Sequence, residues 1–137
     1  MIKFIFVLTL IINTSAVSKE FNKAYFGGGC FWCMEESFEK VEGVIEVISG
    51  YSGGKTNNPT YREVTYGDSG HFETVEVIFD HSKTDYETLL KVFWVNIDPF
   101  DALGQFCDKG YSYRSVAFYQ NENQKKLLKN KFFSLFF

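Results

Sequence analysis

Residues 23–41 read KAYFGGGCFWCMEESFEKV. Lys23 to Phe26 form a short strand-like run, three glycines follow, and beyond them Phe31, Met34, Phe38 and Val41 recur at the spacing of one helix face. A strand that passes through glycine into a helix predicts Cys30 at or near the helix N-terminus. There the unpaired backbone N–H groups and the positive end of the helix dipole favour thiolate, the nucleophilic form of cysteine. The other reading of Cys30 is a buried, inert thiol, the common fate of the residue.

Further along, Val44, Ile45, Val47 and Ile48 predict a strand that ends in the turn region Gly50–Gly54. From His71 to Phe79 the residues alternate: Phe72, Thr74, Glu76 and Ile78 share one side, and Glu73, Val75, Val77 and Phe79 the other. Glu73 is thus the one polar residue on the more apolar face. Thr84 or Asp85 is expected to cap a helix running through Leu89, Leu90, Phe93 and Ile97, which Asp98-Pro99 ends. Ser115 to Tyr119 predicts a final strand, and a helix follows from about Asn121. Two successive βαβ units predict an α+β fold: a two-layer α/β sandwich with helices on one face and a ferredoxin-like βαββαβ core.

The 137 residues leave room for one domain. No repeat or Pro-rich linker divides them, and the only prolines are Pro59 and Pro99. With 45% hydrophobic and 19% aromatic residues, the composition fits a packed domain with an aromatic-rich core rather than a disordered tail. Fourteen basic against seventeen acidic residues give a net charge of −3, and no run of Lys or Arg offers to neutralise phosphates, which argues against nucleic acid as a partner.

The opening stretch has a cation at Lys3, an apolar run from Phe4 to Ile12, and small residues Thr14-Ser15-Ala16 suited to a signal peptidase. Residues 1–16 are therefore expected to be a signal peptide, with residues 17–137 exported to the periplasm or secreted. The apolar run falls short of the roughly 20 residues that span a bilayer, so no stable membrane span is expected after cleavage.

Cys30, Cys33 and Cys107 are an odd number, so at least one thiol must stay free, pair between chains, or cycle. Cys30-x-x-Cys33 matches both a redox dithiol and half of a zinc site. Zinc would require a second ligand pair, whereas His71, His81 and Cys107 are singly placed, so no metal is expected.

Five segments, in order, carry a resemblance: Gly29-Cys30-Phe31-Trp32; Gly50-Tyr51-Ser52-Gly53-Gly54; Asn58-Pro59-Thr60-Tyr61; Gly70-His71-Phe72-Glu73; and Asp108-x-Gly110-x-x-Tyr113-Arg114-Ser115. From about Lys23 to Gln120 the chain resembles the peptide methionine sulfoxide reductase A family, the peptide-methionine (S)-S-oxide reductases. The resemblance implies that Cys30 is the nucleophile and that Phe31 and Trp32 line a pocket for the substrate methyl. It also implies that Glu73, Tyr61 and Tyr113 surround the sulfoxide oxygen, and that Asp108 supports the site by hydrogen bonding. A sulfoxide is a poor electrophile until its oxygen is protonated, and a carboxyl kept neutral by desolvation suits Glu73 to that task. On periodicity alone, Glu73 would instead be a core-edge carboxylate paired with a lysine.

The implied substrate is methionine sulfoxide, free or in proteins. The implied product on the enzyme is a Cys30 sulfenic acid, resolved to a disulfide and recycled by thioredoxin or another dithiol, with no cofactor. Cys33, one helical turn from Cys30, is the favoured resolving residue, with Cys107, next to Asp108, as the other candidate. A monomer is expected. The chain departs from the family at Ile97, where His often precedes Asp-Pro, at Ser112 in place of Gln, and at Phe106-Cys107 in place of Gly and a small polar residue. Its Phe-rich end, Lys131 to Phe137, stands where the family continues, so a C-terminally shortened domain is expected. Two alternatives compete. A truncated, inactive remnant of the family would account for the shortened end. A thioredoxin-like dithiol oxidoreductase would account only for Cys30-x-x-Cys33.

Overall fold

The computed structural model describes residues 21–136, with side chains through Asn130. The expected signal peptide at residues 1–16 lies outside the described residues, as do the side chains of the Phe-rich end. β1 (Asn22–Gly27), β2 (Val44–Ser52), β3 (Phe72–Phe79) and β6 (Val116–Ala117) form one sheet in the order β2-β3-β1-β6, every neighbouring pair antiparallel. That order, with α1 (Phe31–Glu39) after β1 and α3 (Tyr86–Val95) after β3, is the expected ferredoxin-like core. α4 (Glu122–Phe136) follows β6 and packs Leu127 and Leu128 against the core.

Register fixes the faces. Phe26 is opposite Val75, Ala24 opposite Val77, and Val77 is also opposite Val47, so these side chains point together toward α1 and α3. Phe26 is the hub of the core. Its ring stacks on Phe38 at 5.0 Å, Phe93 at 5.3 Å and Tyr86 at 5.8 Å, joining β1 to both helices. Losing such a fully buried ring costs about 3–5 kcal/mol.

α3 starts as expected, with the Asp85 carboxylate accepting from the Thr88 N–H at 2.8 Å. It ends at Val95, short of Asp98-Pro99, because Asn96 closes the last turn: its N–H donates to the Phe93 carbonyl and its side-chain amide to the Val92 carbonyl. Ile97 nonetheless remains in the core. β6 is two residues long rather than the expected Ser115–Tyr119, since its ladder meets only the last two positions of β1.

Three elements lie beyond the sequence expectations. α2 (Tyr61–Tyr66) sits between β2 and β3; a two-residue ribbon pairs β4 (Gly104–Gln105) with β5 (Asp108–Lys109); and a 3-10 turn spans Tyr111–Tyr113. α2 carries a complete capping box, Thr60 accepting from the Glu63 N–H while the Glu63 carboxylate accepts from the Thr60 N–H. No helix among the described residues is long and apolar enough to cross a membrane.

Candidate active site

β1 delivers the chain into the glycines, and Gly29 takes the left-handed φ of +85° that turns it into α1. A side chain at Gly29 would also lie 2.8 Å from the Cβ of Gln105, so the buried Gln105 packs directly behind the turn that carries Cys30. Cys30 is the N-cap of α1: its carbonyl accepts from the N–H groups of Cys33 and Met34, while its thiol takes no part in capping.

The next N–H of the helix, that of Phe31, donates to Oε2 of Glu73 at 3.1 Å. Glu73 is 2% exposed, and its second oxygen, Oε1, is buried with no hydrogen-bond partner among the described residues. Burial holds its carboxyl above the ordinary carboxylate range; the Phe31 N–H opposes that shift and the charge of Asp108 adds to it. The alternative pairing with a lysine does not occur, since no described salt bridge involves Glu73. A buried carboxyl with one oxygen anchored and the other unpartnered can, in its protonated form, act as a proton donor in this site.

Three phenols are linked to this carboxyl, directly or through one another. Tyr61, the first residue of α2, and Tyr113, in the 3-10 turn, bring their hydroxyls to 3.4 Å of each other. Tyr113 is held well above the usual phenol value by that hydrogen bond, then by burial and by the negative charge of Glu73. Tyr51 is the third. It pairs across β2 and β3 with Glu73 and so shares its face, its ring lies 5.8 Å from that of Phe31, and burial, Glu73 and Tyr61 raise its phenol. Sequence reasoning missed Tyr51 because only the register of two strands, not the spacing within one, puts it opposite Glu73.

Phe31 and Trp32 diverge. Phe31 is 7% exposed and belongs to the core, whereas Trp32, its ring 5.2 Å away, is 66% exposed at the rim. Together with Tyr51 they make a continuous row of rings from core to surface.

On the other side of Cys30 lies a cavity of about 310 Å³, lined in part by Cys30, Cys33, Met34, Gln105, Phe106 and Asp108. Gln105 holds this wall. Its amide donates to the carbonyls of Gly104 and Asp98 and accepts from the Asp98 N–H. Cys33, on a residue exposed overall, has its thiol pushed up by partial burial first, then by hydrogen bonding to Cys30 and by the charges of Cys30, Asp108 and Glu36. Asp108 acts here through its charge on Glu73 and Cys33; no side-chain hydrogen bond of Asp108 figures among those of the described residues. Cys107, in the exposed two-residue turn of the ribbon, does not line the cavity. No group of three or more His, Cys, Asp or Glu among the described residues could hold a metal ion.

A family model described as peptide methionine sulfoxide reductase matches residues 22–135. The peptide methionine sulfoxide reductase MsrA 2 of Lactococcus lactis is 52% identical over 107 residues, covering 78% of this chain and 62% of that protein. The MsrA of Listeria monocytogenes is 53% identical over 105 residues, covering 77% and 59%. The chain thus spans about three fifths of the length of these relatives. Among solved structures, methionine sulfoxide reductase A of Corynebacterium diphtheriae superposes with a TM-score of 0.74 at 30% identity, over 83% of this chain and 57% of that one. Reduced Mxr1 of Saccharomyces cerevisiae superposes at 0.72 and 28% identity, over 81% and 66%.

Proposed function

From the premise that the chain belongs to the peptide methionine sulfoxide reductase family, we propose that it reduces methionine S-sulfoxide, free or in proteins, with Cys30 as nucleophile and Glu73 as acid. The observation that carries this reading is the buried Glu73 carboxyl, tied by Oε2 to the first N–H of the helix that Cys30 caps and leaving Oε1 unpartnered.

The thiolate attacks the sulfoxide sulfur as Glu73 gives its proton to the oxygen. The hydroxyl then passes from the methionine sulfur to the Cys30 sulfur as the bond between the two sulfurs breaks, so methionine leaves reduced and Cys30 is left as a sulfenic acid. Tyr61 and Tyr113 hold the oxygen by donating hydrogen bonds, and the methyl rests on Phe31 and Trp32. The Cys33 thiol then attacks the sulfenic sulfur, water departs, and a Cys30–Cys33 disulfide forms. An external dithiol such as thioredoxin restores both thiols by exchange and is itself oxidised to a disulfide. The cavity that Cys33 shares with Cys30 supports this order, and Cys107, in an exposed turn outside that cavity, supports it less. The likenesses give no support to a thioredoxin-like oxidoreductase. We further propose that the protein acts as an exported monomer after cleavage following Ala16.

The test is turnover of each methionine sulfoxide epimer separately with dithiothreitol. The S epimer should be consumed and the R epimer left intact, because each epimer has its own enzyme. Consumption of both would contradict the assignment, and turnover of neither would favour an inactive remnant.

A further inference from the structure

His71 has no role in the mechanism above, yet it is buried at the entrance to β3 with both ring nitrogens engaged. Nδ1 accepts from the Gly54 N–H at 3.2 Å, which requires that nitrogen to be unprotonated. Nε2 then carries the hydrogen and donates to the Thr56 carbonyl at 2.9 Å. The ring therefore spans the backbone of residues 54–56, just beyond β2, and fastens it to the residue two places before Glu73. A second bond runs beside it, from the Lys55 N–H to the Ser69 carbonyl at 3.1 Å. The fit is close, since a side chain at Gly54 would come within 2.2 Å of the imidazole.

From Thr56 only four residues lead to Tyr61, and the last two are stiff. Pro59 fixes its own φ, and Thr60 is locked into the capping box of α2. Movement at the clasp is thus passed to the first residue of α2 rather than absorbed. We propose that His71 is a positioning residue that sets the Tyr61 phenol beside that of Tyr113 by clamping residues 54–56 to the start of β3. The proposal rests on the reading of Tyr61 as an oxygen-holding group in sulfoxide reduction.

The experiment compares kcat for S-sulfoxide reduction in wild type, His71→Leu, His71→Gln, Tyr61→Phe and the double variant His71→Leu/Tyr61→Phe, with Cys30 alkylation as a check on the fold. Loss of one preorganised donor costs on the order of 10²-fold in kcat, so His71→Leu and Tyr61→Phe should each lose about that much. If His71 acts through Tyr61, the double variant should be no slower than the worse single variant. His71→Gln, whose amide offers one acceptor and one donor, should recover much of the loss. Should His71→Leu fail to fold, Gly54→Ala attacks the same contact from the other side. The φ of Gly54 lies outside the left-handed region, so alanine suits the backbone and acts only by displacing the ring; it should reproduce the loss in kcat. An active wild type with unimpaired His71→Leu or Gly54→Ala, or losses that multiply in the double variant, overturns the positioning role while leaving the reductase reading intact. An inert wild type overturns both.

Discussion

Glu73→Gln is the sharpest perturbation the site allows. Gln is nearly isosteric, and its amide oxygen can keep the bond from the Phe31 N–H now made by Oε2 at 3.1 Å. Its NH₂ then occupies the unpartnered Oε1 position, where it can donate a hydrogen bond but cannot release a proton. The turn around Cys30 should hold, and what disappears is general acid catalysis, worth about 10²–10⁴ in rate. The burial that raises the Glu73 carboxyl also sets two pH signs. In wild type the acid is available below its raised value, so turnover should fall as pH rises through it. The folded state also holds a proton that the unfolded chain has released between the ordinary carboxyl value and the raised one, so wild-type stability should decline as pH rises across that window. Glu73→Gln should lack both dependences. Steady-state turnover of the S epimer, thermal melts over the same pH range, and iodoacetamide alkylation of Cys30 measure the three quantities. An unchanged rate in Glu73→Gln, with Cys30 alkylating normally, would show that the phenols or solvent supply the proton.

Cys30→Ser should abolish reduction, because a hydroxyl is a far weaker nucleophile than a thiolate; residual activity above about a tenth would remove Cys30 from the mechanism. With one equivalent of sulfoxide and no reductant, wild type and Cys107→Ser should lose two thiols per turnover and Cys33→Ser one. If thiol counting on Cys33→Ser still finds two lost, and thioredoxin recycles it, Cys107 is the resolving residue.

Much of this arrangement was legible in the sequence wherever an element is long enough to show its period. The alternation of residues 72–79 assigned Glu73 to the apolar side, and the 3.6-residue spacing of Phe31, Met34 and Phe38 set the start of α1 beside Cys30. Elements of two to six residues have no period to read. α2 went unread because its one local mark is the Thr60–Glu63 capping pair, and the ribbon that carries Asp108 has no local mark at all, since its pairing is four residues in all. The roles of Tyr51, Gln105 and His71 depend on what faces them across the fold, which no spacing along one segment records. Phe31 and Trp32 are adjacent in sequence and therefore point to different sides of a helix, which is why one is core and the other rim.

The bond from Phe31 to Glu73 bridges 42 positions of sequence, yet it runs between α1 and β3 with nothing interposed. Cys30 and Glu73, the proposed nucleophile and acid, thus sit on the α1–β3 frame of the fold, while Tyr61 and Tyr113 arrive on excursions from it, α2 and the 3-10 turn. Insertions or exchanges in those excursions can alter which oxidised side chains are admitted without disturbing the distance between thiol and proton. A designer seeking new sulfoxide substrates on this scaffold would vary residues 53–70 and 109–115 and leave the α1–β3 seam alone.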